Sequence, residues 1–69
     1  MDFYVNCIVS FACGDNLPLQ YGPFTDEQTA RQCVRDLMLH AEVRDCHIAD
    51  TFEPDRCFVQ NALLQARNP

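Results

Sequence analysis

Hydrophobic and polar positions alternate from the start of the chain. Phe3, Val5, Cys7, Val9 and Phe11 fall on one side, and Tyr4, Asn6, Ile8, Ser10 and Ala12 on the other. A period of two, with β-branched and aromatic residues, predicts a half-buried strand. The second side is only partly polar, which fits either a central strand or one whose Tyr4 and Ile8 meet a partner. Gly14-Asp15-Asn16 reads as a turn, after which Leu17, Leu19 and Tyr21 alternate with Pro18 and Gln20. The pair predicts a hairpin. Pro18 has no N–H to give a ladder, which predicts an edge position for the second strand.

The period then changes. Ala30, Cys33, Val34, Leu37, Met38 and Ala41 follow the three-and-four spacing of one helical stripe. Thr25 with Gln28 reads as a capping box, and Asp26 and Glu27 place acids in the first turn, where the helix dipole favours them. Alternation returns from Val43 to Phe52 and predicts a third strand. Beyond Glu53-Pro54-Asp55, residues 56–66 read two ways. Phe58, Val59, Ala62, Leu63 and Ala66 fit a short helix, which the Ala-Leu-Leu-Gln-Ala-Arg composition favours. Cys57, Val59, Asn61 and Leu63 fit a fourth strand.

The expected fold is therefore α+β. A small antiparallel sheet, made of the N-terminal hairpin and a third strand, packs on one amphipathic helix, followed by a short helix or fourth strand. Residues 1–69 make one domain. Phe3, Val5, Cys7, Val9, Phe11, Leu19, Ala30, Val34, Leu37, Met38 and Ile48 are its expected core. A chain of 69 residues buries only about 60% of its unfolded surface, so that core is thin.

Composition sharpens the functional side. Ten acids face five arginines, with no lysine, for a net charge of −5. Glu42, Asp45, Asp50, Glu53 and Asp55 crowd one stretch in which Arg44 is the only base. Phosphates and anionic membrane surfaces repel such a chain, and basic protein surfaces attract it. These five acids are the expected partner-binding residues, set against the reading that they are simply solvated surface. Direct binding of DNA or RNA needs a basic stripe. Arg31 and Arg35 share a helix face but are offset by Glu27 and Asp36.

Other chemistry finds less support. The five cysteines (Cys7, Cys13, Cys33, Cys46, Cys57) and His40 and His47 lack the two-to-four-residue spacing of a zinc knuckle. Cys46 and His47 are adjacent, but neighbours on a strand point to opposite faces and do not form a nucleophile–base pair. No catalytic residue, metal or cofactor is expected. The start, Met1-Asp2-Phe3-Tyr4, lacks the basic and apolar regions of a secretory signal. The expected compartment is the cytoplasm, with reduced thiols that pack as small hydrophobes.

Two resemblances bear on function. Gln20-Tyr21-Gly22-Pro23-Phe24, followed by Ala30, resembles the strand-to-helix corner of peptidoglycan-binding SPOR domains. Those domains use two β-α-β halves, and only one is found in this sequence, so the likeness is confined to that corner and the family is rejected. At the level of class, the chain resembles small phage and mobile-element inhibitors of the anti-CRISPR type. The likeness lies in the acid excess (Asp26, Glu27, Glu42, Asp45, Asp50, Glu53, Asp55), a sheet with one strong helix, and the lack of a catalytic constellation. It implies a non-enzymatic inhibitor whose partner is a larger protein or ribonucleoprotein with a basic surface, and which is itself a monomer or homodimer. The alternative is a small structural or oligomerising module.

Overall fold

A computed structural model describes residues 2–60 of the chain. Its elements are β1 (Phe3–Ser10), β2 (Asn16–Phe24), α1 (Glu27–Met38), β3 (Val43–Ala49) and β4 (Cys57–Gln60). The strands form one sheet in the order β3-β1-β2-β4. β1 is antiparallel to β2 and to β3, whereas β4 runs parallel to β2, so the sheet is mixed rather than wholly antiparallel. α1 packs on one face, where Val5, Phe24 and Ala30 are buried and Phe3, Tyr21, Cys33, Val34, Leu37, Cys46 and Ile48 close around them.

Two irregularities bring the apolar side chains to that face. Between Asn6↔His47 and Ile8↔Arg44, Cys7 alone faces Asp45 and Cys46, which is a bulge of one extra residue on β3. Asp45 supplies it in a left-handed conformation, with φ of 52°. Residues paired across a ladder share a face, so Val43 opposite Val9 and Ile48 opposite Val5 lie on the helix side. They are five apart, and strict alternation would have split them. A second shift, between Phe3↔Phe24 and Val5↔Tyr21, does the same for Tyr21 and Phe24. Gly22 sits within it at φ +149°, and a Cβ there would come 2.8 Å from the Tyr4 ring.

Asp tolerates the left-handed region better than most side chains, whereas a β-branched residue does not. Asp45→Val should therefore lower stability by about 1–2 kcal/mol, with Asp45→Gly within about 0.5 kcal/mol of the parent. Urea titrations of the two variants check this. Equal midpoints would mean that the bulge is not held in solution.

The structure corrects several sequence expectations. Asp26, not Thr25, caps α1. Its carboxylate accepts from the Thr29 backbone N–H at 3.3 Å and from the Thr29 hydroxyl at 3.2 Å. Both residues are good caps, but Asp ranks above Thr and here gains the second bond. The third strand ends at Ala49 rather than Phe52, because the chain there turns across the sheet. Residues 57–60 are strand, not the favoured helix; residues 61–66 of that reading lie outside the described residues. β2 is an inner strand, yet β4 pairs with it only from Leu19 to Gly22, so Pro18 lies beyond that ladder. Phe11 and Met38 are not core, being 49% and 59% exposed. The reason is length. α1 spans about 18 Å at ~1.5 Å per residue, and β2, at ~3.3 Å per residue, is about 30 Å long. The helix leaves the hairpin end of the sheet bare.

Candidate functional site

The face of the sheet away from α1 is covered by the segment joining β3 to β4, and a polar network ties it down. Gln20 is fully buried and Asn6 nearly so. The Gln20 amide donates to Asn6 Oδ1 at 2.8 Å and to the Thr51 carbonyl at 3.0 Å. Its carbonyl accepts from the Glu53 backbone N–H at 3.0 Å. Asn6 Nδ2 donates to the Glu53 carboxylate, whose Oε2 also lies 3.4 Å from Arg56 Nε. Arg56 continues inward and donates to the carbonyls of Cys7 and Leu19, at 3.2 and 3.4 Å. Among the described residues no buried side-chain polar atom lacks a partner. Beside this network Tyr4, Phe52 and Phe58 pack ring against ring, with centroids 5.3–6.3 Å apart. Tyr4 thus finds inside the chain a partner of the kind its sequence position allows.

The five acids do not form one patch. Glu53 is half-buried and committed to Asn6 and Arg56. Glu42, Asp45, Asp50 and Asp55 are exposed. Glu42 and Asp50 flank opposite ends of β3, which at ~3.3 Å per residue sets them on the order of 25 Å apart. That exceeds the ~8 Å Debye length at physiological salt severalfold, so they act separately. Asp50 instead gains neighbours absent from the sequence cluster. Tyr4 pairs with Ala49 and Phe3 with Phe24, so Asp2, Asp26 and Asp50 share one end of the sheet, and all three are exposed. Asp2, Asp45, Asp50 and Asp55 have no ion pair among the described residues, whereas Glu42 lies 3.8 Å from His40 Nδ1, which pairs with it only when the imidazole is protonated.

No protein-family model, curated protein or solved structure matches the chain.

The opposite end of the sheet is apolar. Phe11, Leu17, Met38 and Leu39 are 49%, 39%, 59% and 83% exposed. Leu17 pairs with Val9, which also pairs with Val43, and Met38 and Leu39 lie on the short connection from α1 back to Val43. Exposed apolar side chains gathered at one place mark contact surfaces more often than scattered ones do. The sequence signal is Leu39, which lies off the helical stripe; Phe11 and Met38 fit the apolar patterns of their own elements and carry no such signal.

Cys7, Cys33 and Cys46 carry no sign of activation. Burial pushes Cys33 up to about 12, with Cys46, Asp36 and Cys7 adding to it, and pushes Cys46 up to about 11, with Cys7 adding. Burial also raises Cys7, against a lowering by Arg56. A low thiolate fraction is the opposite of what a nucleophile or metal ligand needs. Among the described residues no group of three or more His, Cys, Asp or Glu is placed to hold a metal ion. At pH 8 a thiol reagent should modify exposed Cys13 and Cys57 quickly, and Cys7, Cys33 and Cys46 only on unfolding. The native state keeps protons on Cys33 and Cys46 that the unfolded chain releases near the ordinary value of 9.0. Their contribution to stability is thus complete below about pH 9 and is lost as pH rises towards 11–12. Denaturation midpoints at pH 8 and 10.5 read this directly, and a flat profile would contradict it.

Proposed function

We propose that the chain is a non-enzymatic protein-binding inhibitor of the anti-CRISPR kind. Its exposed acids occupy a basic nucleic-acid-binding or subunit-binding face of a larger protein or ribonucleoprotein. The supporting observation is that Asp2, Asp45, Asp50 and Asp55 are exposed and have no ion pair among the described residues. Carboxylates free of internal partners offer their charge to another molecule at no cost of breaking a pair. Of the five acids singled out in the sequence, Glu42, Asp45, Asp50 and Asp55 remain interface residues, while Glu53 holds the covering segment in place. In this reading the chain works in the cytoplasm, with neither membrane nor direct nucleic-acid contact, because a net charge of −5 is repelled by anionic lipid and by phosphate.

Target-DNA gel shifts with a panel of CRISPR effectors test the reading. The chain should block target binding by one effector in a salt-sensitive way. Asp50→Lys and Asp55→Lys should each weaken that block about tenfold, roughly the scale of one charge-assisted contact. Unchanged inhibition after both reversals would remove electrostatic capture.

The bare end of the sheet favours a second reading, a small oligomerising module. Phe11, Leu17, Met38 and Leu39 would there meet a second copy, and light scattering at two concentrations separates dimer from monomer.

A further inference from the structure

β3 lies at the edge of the sheet, with β1 as its one partner among the described strands. Its outer backbone groups therefore have no ladder bonds there, which is the usual template for an added strand. Between that edge and α1 runs a groove of about 220 Å³ lined by Arg31, Val34, Arg35, His47 and Ile48. Val34 and Ile48 are half-buried and form an apolar floor continuous with the core. Arg31 and Arg35 are exposed around it, while His47, opposite Asn6, borders it from the strand edge with its side chain on the other face of the sheet. Among the described residues no acid lines the groove, and its two arginines make it a cationic site on a chain whose net charge is −5.

The spacing of the two arginines is specific. Arg31 and Arg35 are one turn apart, which is about 6 Å along the helix axis. Side chains two apart on an extended strand are about 6.7 Å apart and face the same way. A strand laid along β3 would thus present residues i and i+2 to the two guanidiniums in step. Glu27 shares Arg31, at 2.6 Å, and Arg35 has no ion pair among the described residues, so Arg35 is the freer anchor. The bulge at Asp45 interrupts the regular edge, which confines the usable stretch to Cys46–Ala49.

We propose that this groove binds a short extended peptide carrying acidic residues two apart, by strand addition to β3. Backbone bonds to the Cys46–Ala49 edge supply part of the affinity. The two carboxylates pair with Arg35 and Arg31, where guanidinium forks suit them, and their aliphatic stems cover Val34 and Ile48. The site is of opposite charge to the surface invoked for inhibition, and it does not depend on that function.

The test uses three labelled eight-residue peptides with the full chain. One alternates Glu and Val, one alternates Lys and Val, and one has the composition of the first in Glu-Glu-Val-Val order. Fluorescence anisotropy should show the alternating Glu peptide binding at least tenfold more tightly than either of the others. Amide shifts on its addition should centre on residues 46–49 and on α1 around Arg35. Arg35→Glu, at an exposed helix position whose folding circular dichroism checks, should weaken the Glu peptide at least tenfold and improve the Lys peptide. Arg35→Gln should fall between. Equal affinity for the three peptides, no binding at all, unaltered affinity in Arg35→Glu, or shifts centred on the hairpin end would each overturn the proposal.

Discussion

Gln20→Leu should cost about 2–4 kcal/mol, a large share of the roughly 3–10 kcal/mol that a chain of this length commands. Leucine fills nearly the same volume and is the better core residue by transfer energy, so the sign rests wholly on hydrogen bonding. Gln20 is fully buried, and its amide group holds Asn6 Oδ1, the Thr51 carbonyl and the Glu53 N–H. Removing it leaves the Asn6 oxygen unpaired where water does not reach, at about 1–3 kcal/mol. Thr51 is exposed and recovers a water partner, so its share is small; half-buried Glu53 falls between. Replacing both members of a buried pair costs less than orphaning one. The double variant Asn6→Leu/Gln20→Leu should accordingly be less destabilised than the sum of the single variants, by about 1 kcal/mol or more. Strict additivity in urea titrations would mean that the network is not coupled. The same substitution has a functional consequence. The network anchors the segment that carries Asp50 and Asp55, so Gln20→Leu should weaken partner binding without altering a single exposed charge.

That dependence explains what was legible in the sequence and what was not. β1 and α1 could be read because each has an unbroken period, two from Phe3 and 3.6 from Ala30. The two bulges could not, since a bulge is fixed by the register of a neighbouring strand and looks locally like failed alternation. Val43 and Ile48, or Tyr21 and Phe24, share a face only once β1 is beside them. β4 was ambiguous for a related reason. Its four residues satisfy both periods, and what selects strand is the open edge of β2 from Leu19 to Gly22. The acidic stretch was visible as composition, but its separation across β3 and the internal use of Glu53 are tertiary facts. Asn6 and Gln20 fall on the polar sides of two alternating strands. Only the covering segment makes them buried, and nothing local in Thr51–Arg56 announces that it folds back. The spacing of Arg31 and Arg35 puts them on one helix face; their groove exists only with β3 alongside.

Ala30→Asp should abolish the cooperative unfolding transition at pH 7. Ala30 is fully buried and meets Val5 and Phe24, the two most enclosed apolar side chains beside it. The surroundings offer no compensation. Cys33 and Val34 are its neighbours one turn on, and Arg31, the adjacent base, is exposed and already paired with Glu27. An unpaired carboxylate in such a place costs several kcal/mol, comparable with the whole stability of the domain. The alternative is protonation, which costs less but still buries a polar group without a partner. A buried Asp has a folded-state pKa above its unfolded value of ~3.9. Its proton-linked stabilisation is then present below about pH 4 and lost as pH rises through the folded value. The variant should therefore regain structure on mild acidification, the reverse of ordinary acid denaturation. Gln28→Asp, on the exposed side of the same turn, should shift stability by less than about 0.5 kcal/mol and serves as the control. Near-ultraviolet circular dichroism and thermal melts at pH 4.5 and 7 distinguish the outcomes. A parent-like melt for Ala30→Asp at pH 7 would mean that α1 does not seat on the sheet through Ala30, and with it would go the groove that α1 forms beside β3.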